Sequence, residues 1–156
     1  MNRHTSVKNA VHDLLRQQQL GVLSTVGDEA PYASLVAFAA SADDRCLYFA
    51  TPQATRKFAN IKTNARVALL VNNSVNHPED FHLAKAVTAV GSARSIPEAR
   101  LPAVRSHYLD KHPYLDAFAR SPSCVFLEIR VERYILVERF QNVSEYWIDH
   151  DMDPSP

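Results

Sequence analysis

Apolar positions along the chain follow two periods in turn. Between Ser6 and Gln19, residues Val7, Ala10, Val11, Leu14 and Leu15 recur at the spacing of one helical face, and Ser6 is placed to cap the start. The polar run Gln17-Gln18-Gln19 and then Gly21 end that pattern. Leu20 to Val26 reads as a strand, Gly27-Asp28 as a turn, and Pro31 to Ala40 as a second strand. Both faces of the second strand are apolar or small, so burial on both sides is expected. Asp43-Asp44 turns the chain into a third strand, Cys46 to Thr51. Short strands joined by tight turns mark an antiparallel barrel or sandwich.

Thr51 followed by Pro52 is a helix-start signal, Thr55 is a second candidate cap, and Phe58 and Ile61 supply the apolar stripe. Ala65 to Val71 is a buried strand. Ala86 to Ile96 is another, with Gly91 inside it, a mark of a bulge or of close approach by a ligand or another chain. Pro97 to His112 has a helical pattern that Pro102 is expected to break or kink. Cys124 to Val137 is a long strand in which Leu127, Ile129 and Val131 alternate with Glu128, Arg130 and Glu132, predicting one wet face. Phe140 to Trp147 closes the fold. The expected architecture is mainly β with some α, a small antiparallel barrel with a few peripheral helices. It forms a single domain over residues 1–156, with a frayed acidic tail from about 149.

Composition narrows the function. A chain of 156 residues, 46% hydrophobic and 22% charged, is one globular domain with a full core. Lys and Arg number 17, as do Asp and Glu. That balance lacks the basic field needed for nucleic acid or for an anionic membrane surface. The glycines Gly21, Gly27 and Gly91 lie too far apart to write a dinucleotide fingerprint or a Walker loop. Cys46 and Cys124 fall inside strands and form no CxxC pair, as in a reduced intracellular protein. The N-terminal stretch does not resemble a signal peptide, and the longest apolar runs, Leu35–Ala40 and Val67–Val71, are too short to span a bilayer. A cytoplasmic location is expected.

One stretch carries chemistry. Between Tyr48 and Lys57 a strand runs into Thr51 and Thr55 and then into the adjacent cations Arg56 and Lys57, with Lys62 further along the same helix. Cations at a helix N-terminus oppose its dipole. The arrangement suits a bound anion held by backbone N–H groups, hydroxyls and the two cations. A solvated basic face with acidic partners elsewhere is the alternative. The histidines point to no metal. His77 and His82 flank Glu79 and Asp80, and His107 and His112 are five apart, which is not the spacing that puts two ligands on one helical face. No GxSxG occurs, and no catalytic residue is named.

The blocks Gly21-Val22-Leu23-Ser24-Thr25, Pro31-Tyr32-Ala33-Ser34-Leu35-Val36, Leu47-Tyr48-Phe49-Ala50-Thr51, Thr55-Arg56-Lys57-Phe58-Ala59-Asn60-Ile61 and Ala65-Arg66-Val67-Ala68-Leu69 occur in that order. They are followed by Ala86-Val87-Thr88-Ala89-Val90-Gly91-Ser92-Ala93 and Tyr108-Leu109-Asp110-Lys111-His112-Pro113. Together, over roughly residues 10 to 147, they resemble the FMN-binding split-barrel superfamily typified by pyridoxamine 5′-phosphate oxidase. The resemblance implies a six-stranded antiparallel split barrel and a homodimer with flavins in grooves between the subunits. It implies an FMN phosphate on Thr51, Thr55, Arg56 and Lys57, and a flavin ring along Ser34, Leu35 and Val36. The expected activity is that of a flavin-dependent oxidoreductase acting on a small molecule.

The chain departs from the vitamin B6 oxidases. They carry an Arg and, five residues later, a Lys on the second strand, where this sequence has Ser34 and Ala39, and a Gln where it has Ala86. The C-terminal extension that binds the B6 phosphate is not found after Trp147. A function related to that of pyridoxamine 5′-phosphate oxidase but distinct from it is therefore expected. The alternatives are a haem-binding or haem-utilisation split barrel, a binder of the deazaflavin F420, and a flavin carrier without turnover. His150, in an Asp-His-Asp context, is read as solvated, with a haem ligand as the alternative.

Overall fold

The computed structural model describes residues 2–150. Helix α1 spans Arg3–Gln17. Strands β1 (Leu20–Val26), β2 (Pro31–Ala40) and β3 (Cys46–Pro52) follow, then α2 (Arg56–Thr63) and β4 (Arg66–Asn72). The short α3 (Asp80–Leu83) leads to β5 (Lys85–Ser95). Helix α4 (Leu101–Lys111), a 3₁₀ turn and α5 (Asp116–Ala119) precede β6 (Cys124–Glu138) and β7 (Asn142–Trp147).

All strand pairs are antiparallel, in the order β3-β2-β1-β4-β5-β6-β7, and β3 also pairs with β6. That last pairing closes β1 to β6 into a six-stranded barrel, as expected, and leaves β7 outside it on β6 alone. Inward side chains such as Leu23, Phe38, Phe49, Leu69, Ile129 and Leu136 fill the interior. Helix α1 adds Val7, Val11, Leu14 and Leu15 to the same core. It begins earlier than its apolar pattern, because Asn2 takes the cap and accepts from His4 N. The helix is fastened to the β2–β3 turn by a buried carboxylate. Asp44, 2% exposed, meets His12 Nδ1 at 2.7 Å and Arg16 Nη1 at 2.9 Å.

Three expectations need correction. Pro102 neither breaks nor kinks α4. It sits in the first turn, where a missing N–H costs no hydrogen bond. The second strand is not buried throughout. Tyr32 is 38% and Leu35 64% exposed, Leu35 on the barrel's outer face in register with Val22. The alternation in β6 holds, but its outer face is dry at Glu128, which is fully buried. Helices α4 and α5 cover that stretch, with Tyr108, Val104 and Ala119 packed on Tyr48, Ala50 and Phe126. Glu128 accepts from Arg94 Nε at 2.7 Å and from Arg100 Nη2 at 2.9 Å. Burial, the largest single influence, pushes the Glu128 carboxyl up, yet the hydrogen bonds and charges of Arg100 and Arg94 together hold it below its ordinary value.

Gly91 does mark a bulge and a close approach, but the approaching group is the chain's own backbone. The β5–β6 register shifts between Val90 and Gly91, and a Cβ on Gly91 would lie 2.1 Å from the carbonyl oxygen of Arg130.

Gly91→Ala is accordingly expected to cost about 3 kcal/mol or more, read as a lower urea midpoint, because backbone must move. Glu128→Ala is expected to cost about 2 kcal/mol. That lies below the usual figure for a broken buried pair, because both arginines reach solvent. The folded state holds Glu128 below the unfolded value, so the unfolded chain binds the extra proton. The stabilisation is complete above that value of 4.5 and is lost as pH falls below it. Denaturation of wild type and Glu128→Ala should therefore converge in acid; an equal difference at pH 7 and pH 3 would refute the ionic role.

Candidate functional site

A seam in the barrel makes the candidate site. β2 and β3 pair only over Phe38↔Phe49, Ala39↔Tyr48 and Ala40↔Leu47. Before that, Pro31–Ala37 of β2 pair with β1 alone, and Ala50–Pro52 of β3 pair with β6 alone. One backbone edge of β2 is thus open along Tyr32, Ala33, Ser34, Leu35 and Val36. Ser34 Oγ is buried there with no hydrogen-bond partner. Val36, on the same face, is 5% exposed and belongs to the core, while Leu35 points out. Ser34, Leu35 and Val36 therefore present an orphaned hydroxyl, an exposed apolar side chain and a run of backbone polar groups.

The N-terminus of α2 stands after the end of β3. Thr55 caps it, accepting from Phe58 N at 3.4 Å. Thr51 is 1% exposed, and its Oγ1 lies 3.0 Å from Thr55 Oγ1. Thr55 Oγ1 also donates to Pro52 O at 3.1 Å. Thr51 thus orders the cap from behind, and the N–H groups of Arg56 and Lys57 are left among the unsatisfied donors of the first turn. The Arg56 guanidinium lies 5.7 Å from the centre of the Tyr32 ring. Neither Arg56 nor Lys57 has a carboxylate partner among the described residues. Beside Arg56 a cavity of about 380 Å³ opens between α2 and the β1–β2 hairpin, lined by Asp28, Glu29, Tyr32, Arg56 and Asn60 among others. Asn60 Nδ2 donates to Thr25 Oγ1 at 3.0 Å and fixes α2 to β1. Tyr32 and Asn60 were missed from sequence, and only the strand pairing reveals them.

The remaining candidates are placed elsewhere. His107 Nε2 donates to Ala40 O at 2.6 Å and His112 Nε2 to Phe38 O at 2.7 Å, so both tie α4 to β2. His77 pairs with Glu79 at the surface. No cluster of metal-ligating side chains occurs among the described residues. His150 is half-buried rather than solvated, its Nε2 donating to Val131 O at 2.6 Å; residues 151–156 of the expected tail lie outside the described residues. Burial pushes the Cys46 thiol up to about 11 and also raises Cys124, so neither is a poised nucleophile. Among the described residues no helix is long and apolar enough to cross a membrane.

The barrel also carries an unusual outer surface. Cross-strand registers put Leu35, Val22, Leu70, Thr88 and Ile135 in one row over β2, β1, β4, β5 and β6. None of these is buried, and Leu35 and Leu70 are 64% and 37% exposed.

Comparison with known proteins agrees with this fold. No curated protein matches the chain. Among solved structures, a haem-binding protein from Mycobacterium smegmatis superposes with a TM-score of 0.82 at 17% identity, over 94% of this chain. This chain spans 60% of that protein's length. An FAD-binding protein from Mesorhizobium loti gives 0.66 at 19% identity, over 82% of this chain and 91% of its own. A putative pyridoxamine 5′-phosphate oxidase from Listeria innocua gives 0.65 at 20%, over 84% and 98%. At such identities the likeness is one of fold. The family profile described as pyridoxamine 5′-phosphate oxidase matches residues 7–138, from inside α1 to the end of β6. With a split barrel and an open β2 edge beside a capped, cationic helix start, this chain belongs to the pyridoxamine 5′-phosphate oxidase family.

Proposed function

We propose that the protein is a homodimer that binds FMN at the β2–α2 cleft and acts as an oxidoreductase on a small molecule other than pyridoxamine phosphate. The observation that carries the reading is the pair Arg56 and Lys57, without carboxylate partners at the capped start of α2. Two unpaired cations beside free helix N–H groups are favourable when a phosphate dianion lies between them. Thr51 and Thr55 hold that turn in shape. Ser34 Oγ and the open backbone groups of Leu35 supply polar partners for the edge of a flavin ring, and the Leu35 side chain supplies an apolar one. The flavin, when bound, supplies the redox chemistry, and the chain binds it and orients the ring.

The substrate inference rests on the same strand. Ser34 offers no charge, and Ala39 is 1% exposed beneath α4, where a lysine would have to be buried. The row from Leu35 to Ile135 supports a subunit interface beside the cleft, because a monomer gains by removing such a row from water. The fold likeness to a haem-binding protein favours haem as a second reading. Against it, His150 spends its Nε2 on Val131 O.

An absorbance spectrum of the protein separates flavin, deazaflavin and haem, and a flavin band is expected. A hydrogen bond to a charged group is worth roughly 1.5–3 kcal/mol, so Arg56→Ala should weaken FMN about ten- to a hundredfold while barely changing riboflavin, which lacks the phosphate. Lys57→Ala should act in the same sense but more mildly. Unchanged FMN affinity in Arg56→Ala would overturn the site. Sedimentation at micromolar concentration should show a dimer that Leu70→Glu dissociates, and a monomer binding FMN tightly would remove the interface from the reading.

A further inference from the structure

A second groove lies at the other end of β3. Two adjoining cavities, of about 290 and 300 Å³, share Ser41, Tyr48 and Arg100. The first is charged, with four arginines (Arg45, Arg94, Arg100, Arg130) against Asp43 and Glu128. The second is mostly apolar and is walled by Tyr48, Ala103 and Val104. Cys46 and Tyr48 border this groove, whereas Thr51 lies by the cleft. At about 3.3 Å per residue, Tyr48 and Cys46 lie roughly 10 and 16 Å from Thr51 along the strand.

The strand registers build the charged half. Tyr48, Glu128 and Arg94 form one cross-strand row, and Cys46, Arg130 and Ser92 form the next. Arg94 and Arg130 are therefore diagonal neighbours on one face, near enough for one anion to reach both. Glu128 engages Arg94 through Nε, which leaves the outer nitrogens of that fork unspent, and it takes both Nη atoms of Arg100. Asp43 is occupied by Ser41 Oγ at 2.8 Å and by Arg45 N at 3.1 Å. Arg130 makes no ion pair among the described residues and is exposed. Anchoring α4 to the barrel explains Arg94, Glu128 and Arg100. It does not explain a further unpaired arginine beside them, on the rim of an apolar slot.

We propose that this groove is a second ligand site, taking a small organic anion. Its carboxylate or phosphate group is held by Arg94 and Arg130, and its apolar or aromatic body lies against Tyr48, Ala103 and Val104. The fully buried Glu128 holds the Arg94 and Arg100 guanidiniums in place before any ligand arrives, which lowers the entropy cost of binding. Forked, planar donors favour a carboxylate or phosphate over a spherical ion. The site is separate from the flavin cleft, and its occupancy does not require that reading to hold.

Phenyl phosphate is the probe, titrated calorimetrically into the protein with and without saturating FMN, with benzoate, inorganic phosphate and benzyl alcohol as comparisons. Saturable binding of one phenyl phosphate per chain is expected with FMN present, with benzoate binding, inorganic phosphate weaker and benzyl alcohol silent. Arg130→Gln should weaken phenyl phosphate about tenfold with an unchanged melting temperature, while Arg56→Gln should leave it unaltered. Ala103→Phe, which fills the apolar half, should remove the advantage of phenyl phosphate over inorganic phosphate. Competition by FMN, loss in Arg56→Gln, or wild-type affinity in Arg130→Gln would overturn the proposal, as would the absence of saturable binding in the wild type.

Discussion

Cys46↔Arg130 through Pro52↔Cys124 is an unbroken ladder between β3 and β6, and the rest of the molecule depends on it. It closes the barrel. Because β3 commits one edge to β6 for its whole length, its other edge follows β2 only as far as Phe38, and the two strands diverge beyond. A barrel closed evenly would have no free strand edges. This one keeps an open stretch on β2, and α2 starts beside that opening with a capped N-terminus.

The charge pattern sharpens the reading. Across the barrel, cations meet carboxylates: Arg66 with Glu132, Arg133 with Glu145, Lys85 with Glu138, and Arg16 with the buried Asp44. Buried Glu128 engages two arginines. Arg56 and Lys57 at one end of β3, and Arg130 at the other, belong to the cations that have no carboxylate partner among the described residues. Surface cations without partners are common and each means little. Arg56 and Arg130 differ because each borders a cavity and stands beside donors already held in place by Thr55 or by Glu128.

The two buried carboxylates have a mechanical role as well. Asp44 joins α1 to the β2–β3 turn, and Glu128 joins β6 to β5 and to the residue that precedes α4. In each case a helix is attached at the β2–β3 end of the barrel, where the strands are paired most fully. At the opposite end of that seam β2 keeps its open edge.

The alternation of apolar residues and the placement of turns were enough to specify six barrel strands, the capped α2 and the basic pair at its start, because these depend on neighbours a few residues apart. Even the glycine in β5 was legible as a point of close approach. Tertiary pairing decided what lay beyond that range. Glu128 has the spacing of a wet-face residue, and only the packing of α4 over β6 makes it a buried anchor. Leu35 lies in a strand that is apolar or small on both faces, and only the register that sets it on the barrel's outer face beside Val22 exposes it. Pro102 is harmless because the helix happens to begin beside it. Tyr32 reaches Arg56 across a hairpin, and Arg94 neighbours Arg130 across two strands. Such meetings depend on strand register and closure, which emerge from the summed packing of the whole core and cannot be read from any one segment.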